Sequence, residues 1–188
     1  MALPAARHVV IVGLMGAGKS TVGRRVASIL QRAFVDADDA LEEITDRTIA
    51  EIFAAEGETA FRAIEADVLE ELLEHHEPTV IAAGGGVVLR QDSRDRLEHA
   101  NVPTVWLDAS PAFLASRIAR RSHRPLLDGA DTPREVLERL HAERAPLYAK
   151  VADAVFPVEP FHRDDEGSKR ELAKQVAARV VALEARVA

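Results

Sequence analysis

Residues 9–21 read VVIVGLMGAGKST. The opening four residues form a short apolar, β-branched run of the kind that makes a strand. Directly after it, Gly13, Gly18, Lys19 and Ser20 satisfy the spacing G-x-x-x-x-G-K-[ST], and Val22, Val26, Ile29 and Leu30 continue at helical spacing. A strand, a glycine-rich turn and a helix in that order make a phosphate cradle. The glycines let the backbone curl so that successive N–H groups face phosphate oxygens, and the helix N-terminus adds its partial positive charge. Lys19 is then placed to reach the β- and γ-phosphates, and the Ser20 hydroxyl to ligate Mg²⁺. A guanine-reading N-K-x-D is absent, which favours ATP over GTP.

Working outward, further apolar runs recur at residues 33–35, 79–82, 104–107 and 154–158, separated by longer helical patterns. That alternation predicts an α/β fold, a parallel sheet of about five strands flanked by helices. At 188 residues and 47% hydrophobic content the chain suffices for one well-covered core, so a single domain over 1–188 is expected. Phe61, Ile64, Val68, Leu69, Leu72 and Leu73 recur as the apolar stripe of one amphipathic helix. The acids between them, Glu65, Asp67, Glu70, Glu71 and Glu74, read as its solvated face. Residues 168–187 carry Leu172, Val176, Val180 and Leu183 on one stripe and read as a closing helix. Residues 120–132, RRSHRPLLDGADT, break both periodicities and hold three arginines, so they read as a mobile loop.

The formal charge of −7 opposes a broad hold on nucleic acid, which needs a dominant positive field. With no cysteine, disulfides and thiolate metal sites are excluded. The apolar run near the N-terminus is too short for a signal segment or a membrane span, so a cytoplasmic location and no membrane partner are expected. The seven histidines show no zinc spacing, and no G-x-S-x-G elbow supports serine hydrolase chemistry.

A phosphate loop does not name the acceptor, so residues elsewhere must. The second strand runs into VDADDA, where Asp36 and Asp38 stand two apart and, in an extended segment, on the same side. The plain alternative is that one of these acids caps a helix beginning near Ala40, a reading that suits Asp39 best. Gly84, Gly85 and Gly86 follow the third strand, at the end of a sheet where ligands bind, and permit unusual dihedrals and close approach of a ligand. Taken alone, Arg62 reads as a surface arginine. Arg144, beside a Pro146 expected to stop its helix, reads as a cation at a helix C-terminus.

Together these pieces resemble the shikimate kinase family: GLMGAGKST, D-A-D at 36–38, F-R at 61–62, GGG at 84–86, R-P-L-L at 124–127 and R-A-P-L-Y at 144–148. The resemblance implies a P-loop NTPase fold, similar to nucleoside monophosphate kinases, with a mobile lid at about 120–132 and substrate-binding helices at about 37–75. It implies ATP as co-substrate, Mg²⁺ as cofactor and shikimate as acceptor, on the route to chorismate and the aromatic amino acids; a monomer is the expected state, though no residue pattern specifies it. Gly13, Gly16, Ala17, Gly18, Lys19, Ser20 and Thr21 would hold the nucleotide phosphates, and Arg117 would pack on the adenine. Asp38 would hold the reacting hydroxyl, and Arg62 and Arg144 the carboxylate, with Gly84, Gly85 and Gly86 against the acceptor. Asp36 would stand near Mg²⁺ with Ser20. Arg124, in the lid, would reach the phosphates and join Lys19 and Asp38 in catalysis. Arg120 and Arg121 have no counterpart in the pattern, and neither does the segment after Phe156. Two other readings are a kinase for another small hydroxy acid such as gluconate, which the paired arginines and triple glycine oppose, and a nonenzymatic ATP- or shikimate-sensing module, which the intact charged set opposes.

Overall fold

A computed structural model describes residues 7–99, 102–118, 132–161 and 166–186. The expected lid, with Arg120, Arg121 and Arg124, lies outside these residues apart from Thr132. Five strands form one parallel sheet in the order β2-β3-β1-β4-β5: β1 Val9–Val12, β2 Ala33–Asp36, β3 Thr79–Ala82, β4 Thr104–Asp108 and β5 Ala154–Pro157. β1 and β3 are buried at every position, as strands covered on both faces must be. Register is explicit, with Ile11 opposite Ala82 on one side and Val105 on the other. Because all five strands run the same way, their C-terminal ends open on one edge, and the connections that leave this edge carry the polar residues of interest.

The helices are α1 Lys19–Leu30, α2 Ala37–Thr45, α3 Ile49–Glu74, α4 Gln91–His99, α5 Pro111–Ile118, α6 Pro133–Val151 and α7 Glu166–Glu184. α1 packs on α7 and α5 on α6. A buried ion pair clasps the first of these contacts: Arg32, just past α1, donates to Glu184 at 2.8 and 2.9 Å, and Glu184 also accepts from the Arg7 backbone.

Local chemistry sets the ends of the two helices that build the cleft. Thr48 with Glu51 and Thr132 with Glu135 form capping boxes at the starts of α3 and α6, with Pro133 in the first turn of α6. α3 therefore begins twelve residues before the stripe seen from Phe61 onward, and it breaks at Gly57, whose φ of 80° lies outside helical space.

Pro146 does not end a helix, contrary to its expected effect. α6 runs through it to Val151, because Leu137, Leu140, Tyr148 and Val151 form a buried stripe whose packing outweighs the hydrogen bond that proline removes. Arg144 is thus in the middle of a helix and only 3% exposed, not at a helix C-terminus. Nor does α2 start at Ala40: Asp36 is its N-cap, accepting from the Asp38 N–H at 3.2 Å, and Ala37 and Asp38 are already helical. Asp39 is in the first turn, its exposed carboxylate 3.9 Å from Arg24.

Candidate active site

The loop after β1 uses its glycines as the motif requires. Gly13, Gly16 and Gly18 have φ of 141°, 82° and 97°, and a β-carbon on Gly13 would stand 2.5 Å from the Leu107 carbonyl oxygen of β4. Lys19 folds back over the loop, its Nζ donating to the carbonyls of Gly13 at 2.9 Å and Leu14 at 3.3 Å. Among the described residues no side chain caps the Gly18 end of α1, so the first-turn N–H groups and the helix dipole face the cleft.

That cleft has a volume of about 1120 Å³, at the large end for a small-molecule site and wide enough for a nucleotide and a second small ligand. Gly16, Gly18, Lys19, Ser20 and Thr21 line one part of it, with Arg117 close by, its guanidinium 5.6 Å from the Phe113 ring. Asp36, Asp38, Arg62, Gly85, Gly86 and Arg144 line the rest, together with Ile49 and Phe53 of α3. Residues from six separate stretches of sequence therefore meet in one place. Gly13, Ala17 and Gly84 lie behind this surface, each buried.

A buried polar network forms the other part of the cleft. Arg62 is 8% exposed, not the surface arginine that its residue type suggests: it donates from NH1 to Glu65 at 2.8 Å and from NH2 to Glu58 at 3.0 Å. Glu65 is 6% exposed, so the acidic run of α3 is not wholly a solvated face. Burial pushes the Glu65 carboxyl above its usual range, with Asp38 adding in the same direction, and Arg62 opposes this only in part. Arg144 donates from NH1 to the Gly85 carbonyl at 3.0 Å, while its buried Nε has no hydrogen-bond partner among the described residues.

The triple glycine serves this network through space rather than through dihedral freedom. Gly86 has φ of −104°, and none of Gly84–Gly86 is in the positive-φ region. A β-carbon on Gly86 would overlap the Arg62 guanidinium, and one on Gly84 would overlap the Glu65 carboxylate and come within 3.0 Å of Asp38 Oδ1. Gly86→Ala should therefore leave the fold intact while displacing Arg62. Loss of one charge-assisted hydrogen bond, about 1.5–3 kcal/mol, corresponds to a KM for a carboxylate acceptor raised about 10- to 100-fold. Steady-state kinetics check this, and an unchanged acceptor KM would show that Arg62 does not meet the acceptor.

A family model described as shikimate kinase matches residues 15–181. The chain belongs to the shikimate kinase family. Curated relatives include the shikimate kinase of Mesorhizobium japonicum, 41% identical over 90% of this chain and 79% of that one, and that of Brucella canis, 45% identical over 75% and 69%. Among solved structures, "Shikimate kinase from Acinetobacter baumannii in complex with shikimate" superposes with a TM-score of 0.84 at 34% identity, covering 96% of both chains. A gluconokinase from Sinorhizobium meliloti, at 21% identity and a TM-score of 0.55, shares the fold alone.

Two residues at this cleft were not singled out as site residues in the sequence: Glu65, read as part of a solvated face, and Tyr148, quoted only within R-A-P-L-Y. Both carried a signal. Glu65 is four residues after Phe61 and four before Leu69, on the apolar stripe where a carboxylate needs a buried partner, and Arg62 stands one turn earlier. Tyr148 likewise continues the stripe from Leu137, Leu140 and Arg144.

Proposed function

We propose that this chain is an ATP-dependent shikimate kinase, transferring the γ-phosphoryl group of ATP to the 3-hydroxyl of shikimate to give shikimate 3-phosphate and ADP, as a cytoplasmic monomer. The observation that carries this reading is that two buried arginines share a cleft with the phosphate loop. Arg144 leaves a buried Nε without a hydrogen bond among the described residues, Glu143 standing 3.7 Å off, and an acceptor carboxylate is the group that would complete the guanidinium's pairing. Arg62 lines the same cleft, so the two forks could fix both the position and the direction of a ring acid. Every one of these groups comes from a single chain, which is why a monomer suffices.

The chemistry follows from the arrangement. Asp38 would accept a hydrogen bond from the reacting hydroxyl and take its proton as the oxygen–phosphorus bond forms. Lys19, already positioned over the loop, would move from two backbone carbonyls to the phosphate oxygens, neutralising charge that spreads over the transferred group. The leaving ADP would keep its contacts with the loop N–H groups and α1.

The donor set fits Mg²⁺, which prefers oxygen ligands and keeps several waters: the Ser20 hydroxyl and Asp36 carboxylate line the cleft beside the loop. The chemistry that Mg²⁺ would supply there, held by Ser20 and Asp36, is neutralisation of negative charge on the nucleotide phosphates. Arg124 and the 120–132 lid enter this reading from the sequence alone, as a cationic cover that would exclude water on closing.

ADP release with Mg-ATP is to be measured against shikimate, gluconate and nucleoside monophosphates. Turnover with shikimate and not the others is expected; turnover with gluconate but not shikimate would sink the proposal.

A further inference from the structure

Tyr148 is the chain's single tyrosine, 1% exposed and tilted against Trp106 with ring centroids 5.7 Å apart. A phenol so deep in a core needs a partner, and beside Arg144 on its own helix Tyr148 finds one outside it. It donates to the Gly85 carbonyl at 2.5 Å, the same oxygen that receives Arg144 NH1 at 3.0 Å. Arg144 and Tyr148 are four residues apart, so one face of α6 grips one peptide of the glycine loop with two donors from successive turns. Burial pushes the phenol above its ordinary value, so it remains a donor at every physiological pH.

Two consequences follow for ligands in the cleft. In a trans peptide the carbonyl of one residue and the N–H of the next point in opposite directions. Holding the Gly85 oxygen against α6 therefore turns the Gly86 N–H away from α6, and both glycines line the cleft. Second, Arg144 has one nitrogen committed to Gly85, while its Nε makes no hydrogen bond among the described residues and has only the Glu143 carboxylate 3.7 Å away. With Tyr148 supplying the second donor, the carbonyl does not depend on Arg144 alone, and the remaining edge of the guanidinium is left for an anion.

We propose that Tyr148 is a positioning residue for the acceptor, acting through Gly85: it fixes the peptide that directs the Gly86 N–H and shares the load on Arg144, so that the carboxylate-binding edge stays available. This inference rests on the reading of the chain as a shikimate kinase. It concerns the acceptor half of the cleft, since the bonds given for Gly85 and Arg144 among the described residues run between the glycine loop and α6.

Tyr148→Phe keeps the ring and its packing on Trp106 and removes one oxygen. KM for shikimate should rise about 3- to 10-fold, the measure of one neutral hydrogen bond, with KM for ATP unchanged. Trp106, the only tryptophan, gives a direct titration of shikimate binding that should weaken by the same factor. A purely structural role would lower the melting temperature and the active fraction without splitting the two KM values. The inference is overturned if both KM values rise together or neither moves. If Tyr148→Phe does not fold, growth on 3-fluorotyrosine labels this one position; its ¹⁹F resonance should move on adding shikimate and stay put with Mg-ADP alone, and a resonance that ignores shikimate overturns the inference. Failure of the wild type to phosphorylate shikimate, seen before any variant is made, would instead refute the function itself.

Discussion

Replacing Asp38 by asparagine is expected to lower kcat by about 10²- to 10⁴-fold, the span associated with a lost general base, while ATP binding measured separately stays near wild type. Asp38 lines the cleft, and its Oδ1 lies beside the Gly84 turn, close to Glu65. Asparagine retains a hydrogen-bond acceptor but cannot take a proton from the attacking hydroxyl. Asp36→Asn should fail in another way, by weakening the response to Mg²⁺, with the loss partly recovered at higher metal concentration, since an amide attracts the cation less than a carboxylate does.

The structure sharpens this comparison because Asp36 is also the N-cap of α2. Asparagine caps as well as aspartate, so Asp36→Asn should keep its melting temperature, whereas Asp36→Ala should lose about 1 kcal/mol. Any change in metal dependence in Asp36→Asn is then a charge effect and not a folding defect. Melting temperature, Mg²⁺ titration and turnover on the two asparagine variants decide the matter. Matching metal dependence in both would show that the two carboxylates have been assigned to the wrong partners.

Lys19→Met should leave a folded protein whose kcat is about 10²- to 10³-fold lower, the usual consequence of losing one preorganised charge contact at a transferring phosphoryl group. Methionine preserves an unbranched stem, so the loop should keep its curl, which the glycine dihedrals and the Ala17 N–H to Leu14 carbonyl bond at 3.2 Å maintain without the ammonium. ADP-release kinetics together with a melting curve test this, and an unchanged kcat in the folded variant would exclude Lys19 from phosphoryl transfer.

Five strands and the phosphate loop were legible in the sequence because each rests on local signals: runs of β-branched residues, glycines at fixed spacing, and a helical stripe beyond them. Buried parallel strands are dominated by apolar residues, here with Thr79 and Thr104 at strand starts as the buried exceptions, so their apolar runs stand out wherever they fall. The individual arginines were not legible in that way. Arg62 stands one step off the apolar stripe of α3, and the stripe through Arg144 was obscured by a proline expected to end its helix, so the pattern of motifs along the whole chain pointed to both. Pro146 misled for a related reason: its local effect is to break a helix, and here the stripe of α6 overrides it.

By itself, then, the sequence determined the class of fold, the nucleotide half of the cleft and the order of its elements, since backbone curl and strand burial depend on residues adjacent in the chain. Only the tertiary structure decided what surrounds the acceptor. Glu65 meets Arg62 within α3, but it meets Gly84 only because α3 lies over the end of β3, and Tyr148 reaches Gly85 across sixty-three positions of sequence. Such contacts arise from the packing of helices on a sheet, and the cost of burying a charge or a phenol appears only once it is known what else is buried beside it.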